Sequence, residues 1–177
     1  MKSIMMCVMM CAMLGCAGMN VMKVCSNEEH CSTGFYNETG ELQTTRHGFV
    51  EGEDIDISTA MEYDEHGPGD SRVVTTAMLH DPTVLVEAHD VLALTGLSRY
   101  PQSICYSEAD IGEWVTVSTY HGPVRTKVVK KGLVTYHLKK RSLQRGDSGS
   151  PVTRRGCLVG MIRKSTSEGV LVVAIRK

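Results

Sequence analysis

The chain has 177 residues, 42% of them hydrophobic, and a formal net charge of −1. It is long enough for one domain or for two small lobes sharing a cleft, and its composition is that of an ordinary globular protein. That balance excludes a partnership built on overall attraction to nucleic acid or to an acidic surface. Charge is nevertheless uneven along the chain: 51-EGEDIDIS-58 and 62-EYDEHGPGD-70 are acidic, whereas 125-RTKVVKKG-132, 138-LKKRSLQR-145 and 154-RR-155 are basic. Solvated faces account for such runs most simply, and a polarised peptide cleft is the sharper alternative.

Residues 1–18, MKSIMMCVMMCAMLGCAG, combine one early lysine, a short apolar run and terminal small residues. The pattern reads as a secretory signal with a short apolar core, or as the end of a hydrophobic, membrane-proximal segment of a polyprotein; it is too short for a confident membrane span. It is set apart from the fold.

Beyond it, helical periodicity is nearly absent, and short β-rich runs alternate with turn residues. A first set of strands is expected at 21–25, 32–36, 41–45, 54–59, 72–79 and 83–88. A second set is expected at 114–120, 125–131, 133–138, 151–155, 157–162 and 170–175. The spacing predicts an all-β protein of two antiparallel six-stranded halves. The N-terminal half covers 19–88, a linker 89–110, and the C-terminal half 111–177.

There are seven cysteines, three of them within residues 1–18. The other four form no Cys-x-x-Cys pair and have no clustered histidine, so neither a zinc site nor any other metal or organic cofactor is expected. Cys25 and Cys31 can bridge across a short loop, although free thiols are the favoured reading. The Asn37-Glu38-Thr39 sequon lies in an expected turn and matters only in a secreted chain.

Three segments carry possible chemistry. In 143-LQRGDSGSPV-152, turn residues crowd between apolar runs. A tight turn there would aim the Ser148 hydroxyl at a substrate and converge the N–H groups of Gly146 and Ser148 on a developing oxyanion. Serine needs a base at neutral pH. His47, at the end of the strand containing Thr44 and Thr45, is suited to that role. A carboxylate must then orient the imidazole. Asp81, before the apolar run 83-TVLVEA-88, is the assigned acid. Asp90, in 90-DVLAL-94, is the competitor; it is disfavoured because it leaves a short interval to Ser148 for two lobes.

His47, Asp81 and 146-GDSG-149, in that order, resemble the trypsin-like (chymotrypsin-fold) serine proteases. Ser32-Thr33-Gly34-Phe35 followed by Thr44-Thr45-Arg46-His47 is similar to a block of the HtrA-like proteases. The segment 111-IGEWVTVSTYHGP-123 resembles the opening of their second barrel, and 157-CLVGMI-162 resembles the strand after their serine. The length leaves no room for a following PDZ domain. The layout looks closest to the small polyprotein proteases of sobemovirus-like, astrovirus-like and arterivirus-like viruses.

The resemblance implies two six-stranded β-barrels with an active site between them, and a serine endopeptidase needing no cofactor. It places the substrate pocket at Ser142, Arg145, Ile162, Arg163, Lys164 and Ser165. Ser142 is not acidic, so a preference for basic residues is not expected. Arg163 and Lys164 would suit an acidic residue before the scissile bond, or simply face solvent.

The implied partner is a polypeptide, including the chain's own polyprotein, and not nucleic acid. A viral enzyme would work in the host cytoplasm near membrane. A bacterial protease with a true signal would be secreted or periplasmic. An inactive protease-fold binding module is the third reading.

Overall fold

The computed structural model describes residues 19, 21–26, 30–48, 54–59, 76–79, 83–88, 90–95, 103–139, 143–167 and 169–176. Residues 1–18, with their expected signal or membrane-proximal segment, and the candidate residues Asp81 and Ser142 lie outside these. No helix among the described residues is long and apolar enough to cross a membrane.

Among the described residues, thirteen strands and one 3-10 turn make up the regular structure, so the fold is all-β as expected. The first half contains β1 (Val21–Cys25), β2 (Cys31–Tyr36), β3 (Leu42–Thr45), β4 (Ile55–Thr59), β5 (Thr76–Leu79), β6 (Thr83–Ala88) and β7 (Val91–Thr95). The second half contains β8 (Trp114–Thr119), β9 (Gly122–Lys131), β10 (Thr135–Leu138), β11 (Pro151–Arg154), β12 (Cys157–Thr166) and β13 (Gly169–Ala174).

The second half closes as a six-stranded antiparallel barrel in the order β10-β13-β12-β11-β8-β9. Alternation explains its interior: Val115 and Val117 of β8, Tyr136 and Leu138 of β10, and Val170 and Val172 of β13 all turn into one buried cluster. The first half is a curled sheet in the order β5-β4-β1-β2-β3-β7-β6, consistent with the expected two-barrel architecture but with seven strands in place of six. The extra strand is β7, read above as the start of the linker. Its run 91-VLALT-95 pairs with both β3 and β6, burying Leu92 and Leu94 beside Val24, Leu42, Ile55 and Ile57. The first half therefore continues past residue 88.

A third cluster joins the halves: Phe35 of β2 packs with Ile104 of the connector and with Leu158 and Met161 of β12. The connector also lies against β12 through a parallel bridge between Tyr106 and Leu158.

The four cysteines beyond residue 18 are paired, which corrects the free-thiol reading. Cys25–Cys31 closes the β1–β2 hairpin, and Cys105–Cys157 staples the connector to the start of β12. The second pair spans 52 residues of sequence, which hides it from any reading based on local spacing.

Candidate active site

Register delivers the first two groups of the site. In the β3–β7 pairing, Thr45 lies opposite Val91. One step beyond, the Arg46 N–H donates to the Asp90 carbonyl at 2.9 Å. A 3-10 turn, Arg46–Gly48, then bends the chain out of the sheet and presents His47. Asp90 occupies the β6–β7 turn with φ of 71°, a left-handed conformation that aspartate tolerates better than most residues. Its carboxylate accepts the His47 backbone N–H at 3.1 Å through Oδ1 and faces His47 Nδ1 at 2.7 Å through Oδ2.

The structure brings Asp90, the competitor in the sequence reading, to His47, whereas Asp81, the acid assigned there, lies outside the described residues. The earlier objection to Asp90 was its short interval to Ser148. That objection fails because β7 follows the acid within the first sheet.

A carboxylate oxygen can only accept, so a neutral imidazole bonded to Asp90 carries its ring proton on Nδ1. Nε2 is then an acceptor. It lies 3.0 Å from Ser148 Oγ, so the serine hydroxyl donates to it. The His47 side chain is 47% exposed and that of Asp90 only 15%, so the relay is anchored at its carboxylate end and open at its histidine.

The Ser148 turn is fixed from both halves. Within it, Gln144 N–H donates to Asp147 Oδ2 at 2.7 Å, and Ser150 N–H donates to the Asp147 carbonyl at 3.1 Å. From β12, the Ile162 carbonyl accepts Gly149 N–H at 2.8 Å, and Ile162 N–H donates to the Ser150 carbonyl at 2.9 Å. From β2, Thr33 N–H donates to the Ser148 carbonyl at 2.7 Å, and Thr33 Oγ1 donates to the Gly146 carbonyl at 3.0 Å.

Gly146 and Gly149 have φ of 96° and 87°, conformations that suit glycine. A Cβ on Gly149 would overlap the Thr33 carbonyl, so the close approach of β2 itself requires glycine there. Among the described residues, no backbone acceptor meets the N–H of Gly146 or Ser148.

Asp147 is buried beneath this turn, and its Oδ1 has no hydrogen-bond partner among the described residues. Burial pushes its carboxyl above the ordinary value, opposed by the Gln144 N–H and by the charge of His121.

The expected pocket residues divide. Arg145, in the turn beside Gly146, and Lys164 and Ser165, in β12, are exposed. The Ile162 side chain belongs to the closed-barrel core, so it contributes backbone to the site and no pocket wall. The Arg163 side chain points to Asp90, with Nε 3.5 Å from Oδ2. Thr33 was missed as a site residue; only its place beside Gly34 and Phe35 in the quoted block hinted at it.

No family model matches the chain, and no curated protein matches it. Solved structures do. A human pathogenic astrovirus serine protease is 16% identical, with a TM-score of 0.61 over 89% of this chain and 90% of that one. The Rv3671c protease of M. tuberculosis, in an inactive form, is 18% identical, with a TM-score of 0.61 over 88% and 83%. A scabies mite inactivated protease paralogue, S-I1, is 15% identical, with a TM-score of 0.61 over 88% of each chain. At these identities the likeness concerns the fold: the chain has the trypsin-like serine protease fold.

Proposed function

We propose that the chain is a serine endopeptidase that cleaves polypeptides through an acyl-enzyme. The observation that carries this is the unbroken relay from Asp90 through His47 to Ser148, with contacts of 2.7 and 3.0 Å. Ser148 Oγ attacks the scissile carbonyl carbon as His47 Nε2 takes its proton. The carbonyl oxygen becomes an oxyanion and accepts the N–H groups of Gly146 and Ser148. Asp90 supports the imidazolium and keeps the ring oriented. Collapse of the intermediate breaks the C–N bond, and His47 returns its proton to the leaving amine. Water, deprotonated by the same nitrogen, then releases the acyl group and restores Ser148.

Likeness to an astrovirus serine protease favours a viral setting; a polyprotein substrate and a membrane beside residues 1–18 belong to that proposal on the strength of the apolar run in the sequence. The two disulfides favour a second setting for the same chemistry, an oxidising compartment reached by secretion. An inactive binding module is disfavoured by the continuity of the relay, although inactivated paralogues share the fold. On specificity, Arg163 is engaged by Asp90, which leaves Lys164 as the cation available to an acidic side chain before the scissile bond.

The test is digestion of an unbiased peptide library, read by mass spectrometry. The wild-type chain should produce new termini and Ser148→Ala none. A folded wild-type chain that leaves the library intact would refute the proposal.

A further inference from the structure

Resting on that reading, we infer that Arg163 is a positioning residue that locks the acid of the first half to the nucleophile turn of the second. Arg163 is the extra residue of a β-bulge: Ile162 pairs with Val172 and Lys164 with Leu171, leaving Arg163 between them without a partner in the register. Such a bulge re-aims a side chain. Here it turns the guanidinium out of the ladder and across the cleft, where Nε comes within 3.5 Å of Asp90 Oδ2.

That Nε is buried and has no hydrogen bond among the described residues, so the carboxylate is its electrostatic counterpart. The same Oδ2 faces His47 Nδ1 at 2.7 Å. On the other side, the preceding residue, Ile162, holds Gly149 and Ser150 through both of its backbone groups. One side chain thus closes a circuit from Ser148 through its turn, β12, Arg163 and Asp90 to His47 and back to Ser148.

Two effects of opposite sign compete in this arrangement. A cation beside Asp90 weakens the support that the carboxylate gives to an imidazolium, so its removal would speed the reaction. The same cation fixes the carboxylate, and with it the His47–Ser148 distance, so its removal would slow the reaction. The Arg163 side chain is 38% exposed, and solvent screens its charge more effectively than it relaxes a geometric constraint. Positioning therefore dominates.

The experiment uses the full chain and diisopropyl fluorophosphate, which reports on Ser148 without a peptide substrate. Phosphorylation of the serine, with fluoride as the leaving group, is resolved into its limiting rate and its half-saturating concentration for wild type, Arg163→Ala, Arg163→Lys, Asp90→Asn and the Asp90→Asn/Arg163→Ala double variant. Thermal midpoints are recorded for each. Arg163→Ala should lower the limiting rate by about 10-fold and leave half-saturation unchanged, Arg163→Lys should recover most of the loss, and the double variant should be no slower than Asp90→Asn alone.

An unchanged or faster Arg163→Ala, a change confined to half-saturation, or an equal loss in both backgrounds overturns the inference. If the wild-type chain is not phosphorylated by the reagent at all, it is the protease reading that fails. The midpoints then decide the lock: non-additive shifts for Asp90 and Arg163 support it, and additive shifts overturn it.

Discussion

Asp90 holds His47 at two points: one carboxylate oxygen accepts the histidine's backbone N–H at 3.1 Å, and the other meets its Nδ1 at 2.7 Å. The bond to the backbone fixes where the 3-10 turn sits, and the bond to the ring fixes how the imidazole faces Ser148. Replacing Asp90 with Asn keeps the shape but lets the amide favour the wrong ring tautomer. Asp90→Asn should lower kcat by about 10⁴-fold, whereas Asp81→Ala should leave it within about 2-fold of wild type. Steady-state hydrolysis of a peptide from the library screen measures both.

Thr33 ties the Ser148 turn to the first half through its side chain, Oγ1 donating to the Gly146 carbonyl at 3.0 Å. That bond restrains the rotation of Gly146 on which the direction of its own N–H depends. Thr33→Val keeps the buried volume and removes the donor. It should lower kcat by about 10-fold with little change in KM and cost about 1–2 kcal/mol of stability, with Thr33→Ser recovering both. Kinetics together with urea unfolding distinguish this from a purely structural loss.

Among the described glycines, Gly149 leaves the least room for a side chain. It combines a positive φ with a carbonyl of β2 lying where a Cβ would stand. Gly149→Ala must rotate the turn or separate it from Thr33, and should cost about 3 kcal/mol or more. Gly156, in the β11–β12 turn, also has a positive φ but nothing near its Cβ direction, and its alanine variant should cost only about 1 kcal/mol. Chemical denaturation of the two variants side by side checks the contrast.

Asp147 predicts a pH dependence of stability. Burial raises its folded-state pKa above the unfolded value, so the native chain binds more protons than the unfolded chain in the interval between them. Stability contributed by this group is therefore greatest in acid and declines as pH rises from the ordinary carboxylate range through the raised value. The difference in unfolding free energy between wild type and Asp147→Asn, followed from pH 4 upward, isolates this group from the other carboxylates. It should move against the wild type as pH rises.

Short alternating runs such as 114-WVTVST-119 and 135-TYHL-138 are readable as strands because one face is buried and the other solvated. His47 and Ser148 are readable because each stands at a strand end beside turn residues. The run 91-VLALT-95 is harder to read as a strand of the first half, because one of its two partners, β3, lies far from it in sequence. The nearness of Asp90 to His47 follows from the register of β3 and β7, which local spacing does not reveal. Arg163 was misread for a related reason: a bulge shifts the side chain off the alternation that sequence reading assumes. Cys105 and Cys157 meet only because the connector returns beside β12.

The central claim is that Ser148 is an activated nucleophile. A fluorophosphonate probe followed by peptide mapping tests it most directly. The account predicts one adduct, on Ser148 of the wild-type chain, absent in Ser148→Ala and at least about 10³-fold slower to form in His47→Ala. A folded wild-type chain that takes up no probe, or that labels equally well without Ser148, would contradict it.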